Sequence, residues 1–177
     1  MKKLVEIKAR YKDLDYVRRR LKELNAKHVG VFHQVDTYFL IGDKRLKLRE
    51  VEGQSYAQLV YYLREDIKGP KVSNVMLVRV LDSDTLKRVL EDILGIKVVV
   101  DKIREIYLYK GVQVHLDQVK GLGTFIEFEM NIENRKVDEG KQFLKELMRE
   151  LGVKESDLIE RSYSDLMLRS LEVRTEG

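Results

Sequence analysis

Charged residues two positions apart recur along this chain. Arg45, Lys47 and Arg49 alternate with Leu46 and Leu48, Lys102 and Arg104 flank Ile103, Glu6 and Lys8 flank Ile7, and Glu127 and Glu129 flank Phe128. Residues two apart in an extended strand share a face, so each set presents its charges together. Glu127 and Glu129 then hold two carboxylates roughly 7 Å apart, a placement that invites a divalent cation. Carboxylate oxygens completed by water suit Mg2+ or Mn2+. The cationic sets suit phosphate oxygens, which a guanidinium can grip in pairs. His115 and Asp117 form one more same-face pair. Any one such face is most simply a solvated face opposite an apolar one. The segregation by sign is less bland: carboxylates and cations converging inside a closed sheet would hold a polyphosphate with its metals. His115 alone reads more simply as a strand histidine hydrogen-bonded to a neighbour than as a general base.

These sets need strands to carry them, and the pattern supplies about eight. KLVEIKARY, KHVGVFHQVDTYFLIG, KRLKLREVE, YAQLVYYLRED, VSNVMLVRVL, KVVVDKIREIYLY, VQVHLDQV and GTFIEFEMNIE all read as extended. EGQS reads as a hairpin turn, and Pro70 in KGPK marks a loop. Leu14, Val17, Leu21 and Leu24 recur at helical spacing. SDTLKRVLEDILG is a second helix, with Ser83 as N-cap and Gly95 as stop. DEGKQFLKELMRELG closes a third on Gly152, its leucines spaced for core packing, and SYSDLMLRSLEV reads as a short terminal helix. Hairpin-length connections predict an α+β fold on a large antiparallel sheet, which so many strands can close or leave open.

The chain's 177 residues, 44% of them hydrophobic, suffice for one domain spanning 1–177 with a real core. Without cysteine it has neither a disulfide framework nor a thiolate metal site. The basic start lacks the apolar stretch of a signal peptide, and no apolar run approaches the roughly 18 residues of a membrane span. A soluble cytoplasmic protein with no membrane partner is the expectation. The net charge of +4, from 34 basic and 30 acidic residues, is too mild and mixed to argue for nucleic acid. Tyr61, Tyr62, Tyr107 and Tyr109 could stack bases, but the acidic pairs would repel a nucleic-acid backbone.

The blocks VEIKAR, HQVDTYF, RLKLRE, VDKIREIY, VHLDQVKGLGTFIEFE and SYSDLM stand in an order that resembles the CYTH superfamily, the triphosphate tunnel metalloenzymes. The resemblance is nearest to the CyaB-type adenylate cyclase branch. It implies a closed eight-stranded antiparallel β-barrel, or tunnel, with flanking helices. It implies Mg2+ or Mn2+ as cofactor and a triphosphate such as ATP or inorganic triphosphate as partner. ATP would be converted to cyclic AMP and pyrophosphate, or a triphosphate would be hydrolysed; both need the same tunnel. Carried over by position, Lys8, Lys47, Arg49, Lys102 and Arg104 would bind the triphosphate, Lys8 and Arg49 serving catalysis as well. Glu6, Asp117, Glu127 and Glu129 would bind metal. HQVDTYF would frame the site, and Arg45 would reach only the tunnel mouth. Two positions depart from the family pattern. The first Glu of its ExExK signature is Leu4, and a phosphate-binding Lys falls on Leu63, with the neighbouring Arg64 on the opposite parity. Those departures keep open the alternative of a non-catalytic nucleotide or polyphosphate-binding protein. Family members often pair, so a homodimer is a further expectation.

Overall fold

The computed structural model describes residues 1–64 and 67–175. Eight strands appear in chain order: β1 (Lys2–Arg10), β2 (Lys27–Phe39), β3 (Arg45–Val51), β4 (Ala57–Arg64), β5 (Lys71–Val80), β6 (Ile96–Tyr109), β7 (Val112–Val119) and β8 (Gly123–Asn131). Four helices punctuate them: α1 (Leu14–Glu23), α2 (Ser83–Leu94), α3 (Val137–Glu150) and α4 (Tyr163–Thr175). The strands close into a barrel in the order β1-β5-β4-β3-β2-β6-β7-β8, every neighbour antiparallel. The sheet therefore closes, and the α+β expectation takes its tunnel form. The strand expected over 56–66 is seen as Ala57–Arg64; Glu65 and Asp66 lie outside the described residues.

Alternation along each strand divides the protein into two chemistries. Outward residues of β1, β7 and β8 (Val5, Ile7, Val114, Leu116, Ile126 and Phe128 among them) are fully buried beneath α1 and α3. Gly140 brings α3 close to the sheet: a Cβ there would meet Ile132 Cγ2 at 2.9 Å. Gly140→Val should overpack this contact and cost about 1–3 kcal/mol. A lowered denaturant midpoint with unchanged slope is the expected readout.

Leu86, Leu90 and Leu94 of α2 cover Phe39, Leu48 and Ala57. The N-cap of α2 is Asp82 rather than Ser83: its carboxylate accepts from the Thr85 N–H at 3.1 Å, and Ser83 is already helical. Gly95 does end the helix, at φ 76°, a conformation costly for any residue with a Cβ. The terminal helix is longer than expected, 13 residues. Ser162 and Asp165 cap it reciprocally, the Asp165 N–H donating to Ser162 Oγ and the Ser162 N–H to Asp165 Oδ2. None of the helices among the described residues is long and apolar enough to cross a membrane.

Candidate functional site

The inward faces of the barrel line a cavity of about 470 Å3. One end is floored by the segment leading into α4. The Tyr163 hydroxyl donates to Asp117 Oδ2 at 2.6 Å, and its ring lies 3.8 Å beneath Lys8 Nζ. Lys71, fully buried, donates to the Glu160 carbonyl at 2.9 Å. Arg45 sits at this floor too, 3.6 Å from Asp165, and not at the open mouth. The opposite end is solvent-exposed at Lys2, Gln54, Leu77, Leu108, Gln113 and Asn131. Charge is concentrated at depth, and the mouth is largely amide and apolar.

Asp36 of β2 organises the cationic wall. Arg49 donates to it through Nε at 2.7 Å and Nη2 at 2.8 Å, Lys47 at 2.9 Å and Lys102 at 2.8 Å. The β2–β3 register places Asp36 opposite Arg49, and β6 brings Lys102 from the other side. Burial works to raise the Asp36 carboxyl, but Arg49, Lys102 and Lys47 overcome it and hold it well below the usual range. Lys102 is shifted downward, chiefly by burial and further by the neighbouring Arg49, Arg104 and Lys47, although Asp36 favours its charge. Three cations on one anion leave a local positive excess. Across the cavity, among the described residues, seven Lys and Arg side chains face four carboxylates. The field favours a polyanion.

The acidic wall lies across β1, β7 and β8. Glu127 is opposite both Lys8 and His115, and Glu129 is opposite Glu6. Glu127 Oε2 accepts from Lys8 at 2.9 Å and lies 3.7 Å from Arg104. Burial would raise the Glu127 carboxyl; Lys8, His115 and Arg104 hold it well below its ordinary value. Glu6 goes the other way, raised by burial and by Glu127 despite Arg64 at 3.3 Å. Ligand atoms of His115, Glu127 and Glu129 all lie within 4.8 Å of one another, a donor set that fits a divalent cation.

A pH dependence follows from these shifts. Asp36, Asp117 and Glu127 are all held below their ordinary pKa. Their stabilisation is complete above the unfolded carboxylate pKa of about 4 and is lost as pH falls through the depressed values. Glu6 opposes them, its raised pKa favouring the folded state at low pH, but it is one against three. The melting temperature should hold from neutral pH to about pH 5 and fall steeply below pH 4. A melting temperature that rises on acidification would contradict this balance.

Known proteins share this closed barrel. The CYTH domain profile matches residues 2–163. The chain belongs to the CYTH domain family. This CYTH chain is 29% identical, over 92% of its length and 97% of the relative's, to a Methanocaldococcus jannaschii protein provisionally named an adenylate cyclase. It superposes on a solved Pyrococcus horikoshii protein with a TM-score of 0.83 at 26% identity, covering 92% of this chain and 98% of that one. A Hippeastrum protein, provisionally an adenylyl cyclase and described as having a dominant triphosphatase activity, matches at TM-score 0.61 and 17% identity, with 94% and 95% covered.

Within this CYTH barrel, Glu6, Lys8, Lys47, Arg49, Lys102, Arg104, Glu127 and Glu129 all face one cavity. Asp117 lies below it, its two oxygens taken by Arg104 Nε at 2.8 Å, Arg104 Nη2 at 2.7 Å and the Tyr163 hydroxyl. Its oxygens orient Arg104, and it does not line the cavity with Glu127 and Glu129. The gap expected at Leu63 is not there. Leu63 points outward and is 49% exposed, while Arg64, in unbroken register with Ser73, points inward to Glu6. Arg64, not Leu63, has the inward parity on β4. Leu4 does face the cavity, so the missing carboxylate is real. Asp36, Arg64 and Tyr163 are site residues that the sequence pattern does not single out. A lone acid among the apolar and aromatic residues of QVDTYF was the available signal for Asp36. The same parity as Gln58 and Tyr62 was the signal for Arg64.

Proposed function

We propose that this chain is a metal-dependent enzyme acting on an organic triphosphate, with CyaB-type conversion of ATP to cyclic AMP and pyrophosphate as the leading reaction. Hydrolysis of the same kind of substrate is its close relative. The observation that carries this reading is a blind, net-positive cavity with an acidic wall. The phosphate chain enters first, toward Arg49, Lys102, Arg104 and Arg64, and the organic group stays among the amides of the mouth. Mg2+ or Mn2+, held by Glu127 and Glu129, would neutralise charge on the phosphate oxygens. Lys8 and Arg49 stabilise the charge that builds as the bond to phosphorus breaks. Asp117 and Asp36 hold Arg104 and Arg49 in place before the substrate arrives. Glu6, opposite Glu129 in the β1–β8 register, would place a further carboxylate beside the metal.

In cyclisation the ribose 3′-oxygen loses its proton, bonds to the α-phosphorus and displaces pyrophosphate. In hydrolysis water attacks the terminal phosphorus and releases phosphate. Incubation with ATP, tripolyphosphate and thiamine triphosphate, with Mg2+ or Mn2+, followed by phosphorus NMR, separates the two. Cyclic AMP with pyrophosphate supports the leading reaction. No turnover of any of the three sinks the enzymatic reading. Leu4 at a cavity-lining position favours a second reading, a triphosphate-binding protein without turnover, for which calorimetry would show tight binding in an inactive protein.

A further inference from the structure

We propose that His115 Nδ1 joins Glu127 and Glu129 as the third protein ligand of one divalent cation, and that this set prefers Mn2+, Co2+ or Zn2+ to Mg2+. The inference rests on the metal-dependent reading above and concerns how this particular chain holds the metal. His115 is 3% exposed and lines the cavity. Its Nε2 lies 3.0 Å from Gln113 Oε1. A carbonyl oxygen only accepts, so Nε2 donates to it, and in the neutral ring Nδ1 is the nitrogen free to ligate.

That nitrogen has no hydrogen-bond partner. The polar atom it faces is Glu127 Oε1 at 3.8 Å, too far for a hydrogen bond. In the neutral ring, a cation between Nδ1 and the carboxylate would satisfy both. Lys8 does not supply it, because Lys8 binds the other oxygen, Oε2. Oε1 and Nδ1 therefore remain as a matched pair of donors, and Glu129 brings a third within 4.8 Å. Ligands of one ion at bonds of about 2.1 Å stand roughly 3–4 Å apart, so modest side-chain rotation closes the set.

The strand register makes the arrangement: His115 is opposite Glu127, Gln113 is opposite Glu129, and both histidine and glutamine point inward from β7. Gln113 fixes the ring through the nitrogen that does not face the metal, the usual partner arrangement for a ligating imidazole. The imidazole comes from β7, on the other side of β8 from Leu4, and supplies a third donor to Glu127 and Glu129. The exchange of an oxygen for a nitrogen ligand changes metal preference, since Mg2+ favours oxygen donors and sheds water reluctantly, whereas imidazole suits later divalent ions.

The test uses the intact protein and the metal alone, without triphosphate. The chain has three histidines, so a nitrogen-15 imidazole spectrum is simple to read, with His28→Gln and His33→Gln variants giving the assignments. Zn2+ should shift the His115 Nδ1 resonance at stoichiometric concentration, and equal Mg2+ should leave it in place. Co2+ and Mn2+ affinity should fall about 10- to 100-fold in His115→Gln, with Mg2+ affinity little changed. Leu4→Glu should raise Mg2+ affinity. Metal bound at Glu127 and Glu129 with the Nδ1 resonance unmoved would overturn the proposal and leave the metal-dependent reading standing. A protein that binds none of these ions would overturn both. The wild-type spectrum decides even if a variant fails to fold.

Discussion

Asp36→Ala should destabilise the unliganded protein by about 3–5 kcal/mol, because it strands buried cations that share one counter-ion. Arg49, Lys47 and Lys102 all donate to Asp36, and Lys102 is almost fully buried. For a chain of this size such a loss lowers the melting temperature by roughly 10 °C. Tripolyphosphate should reverse it. The freed cations would then have the anion as their charged partner, so ligand-induced stabilisation should be larger in the variant than in the parent. Thermal unfolding of both proteins, with and without tripolyphosphate, tests the two halves together. A variant as stable as the parent without anion would show that Asp36 is not the counter-ion of that wall.

The second large effect belongs to the acidic wall. On the function proposed, Glu127→Gln and Glu129→Gln should each lower turnover by about 100- to 1000-fold. They should differ in how they respond to metal. Glu129→Gln removes a ligand and leaves the Lys8–Glu127 pair at 2.9 Å intact, so excess Mn2+ should restore part of the rate. Glu127→Gln removes a ligand and also the partner of Lys8, whose ammonium would be left buried beside Tyr163 and Arg104. Excess metal should not rescue it. Steady-state rates across a metal titration distinguish the two patterns, and equal rescue of both would remove the special role given to the Lys8–Glu127 pair.

The sequence carries much of this site, because strand parity is rigid. A charge two residues from another stays on its face, and Lys47 with Arg49, or Glu127 with Glu129, could be paired by counting. Counting fails where the starting residue is misjudged. Leu63 and Arg64 were exchanged by one residue, which in a strand is the difference between inside and outside. Partners across strands are also illegible. Asp36 lies 66 positions from Lys102, and only barrel closure brings them to 2.8 Å. Tyr163 reached Asp117 by the same route, from a helix that looked like a short tail. His115 was legible as a hydrogen-bonded strand histidine, which it is through Nε2. The unpaired Nδ1 on the far side of its ring had no signature in the chain.

The floor laid by Tyr163 and the carbonyls held by Lys71 turn a barrel with two ends into a passage with one door. On the function proposed, traffic through it must queue. A substrate that enters phosphate-first leaves its deepest fragment behind whatever forms above it. After cyclisation the cyclic nucleotide stands between pyrophosphate and solvent; after hydrolysis the diphosphate product stands above the freed phosphate. The bulkier product departs first in either case, and the innermost anion, gripped by the most cations, sets the pace at which the enzyme is ready again.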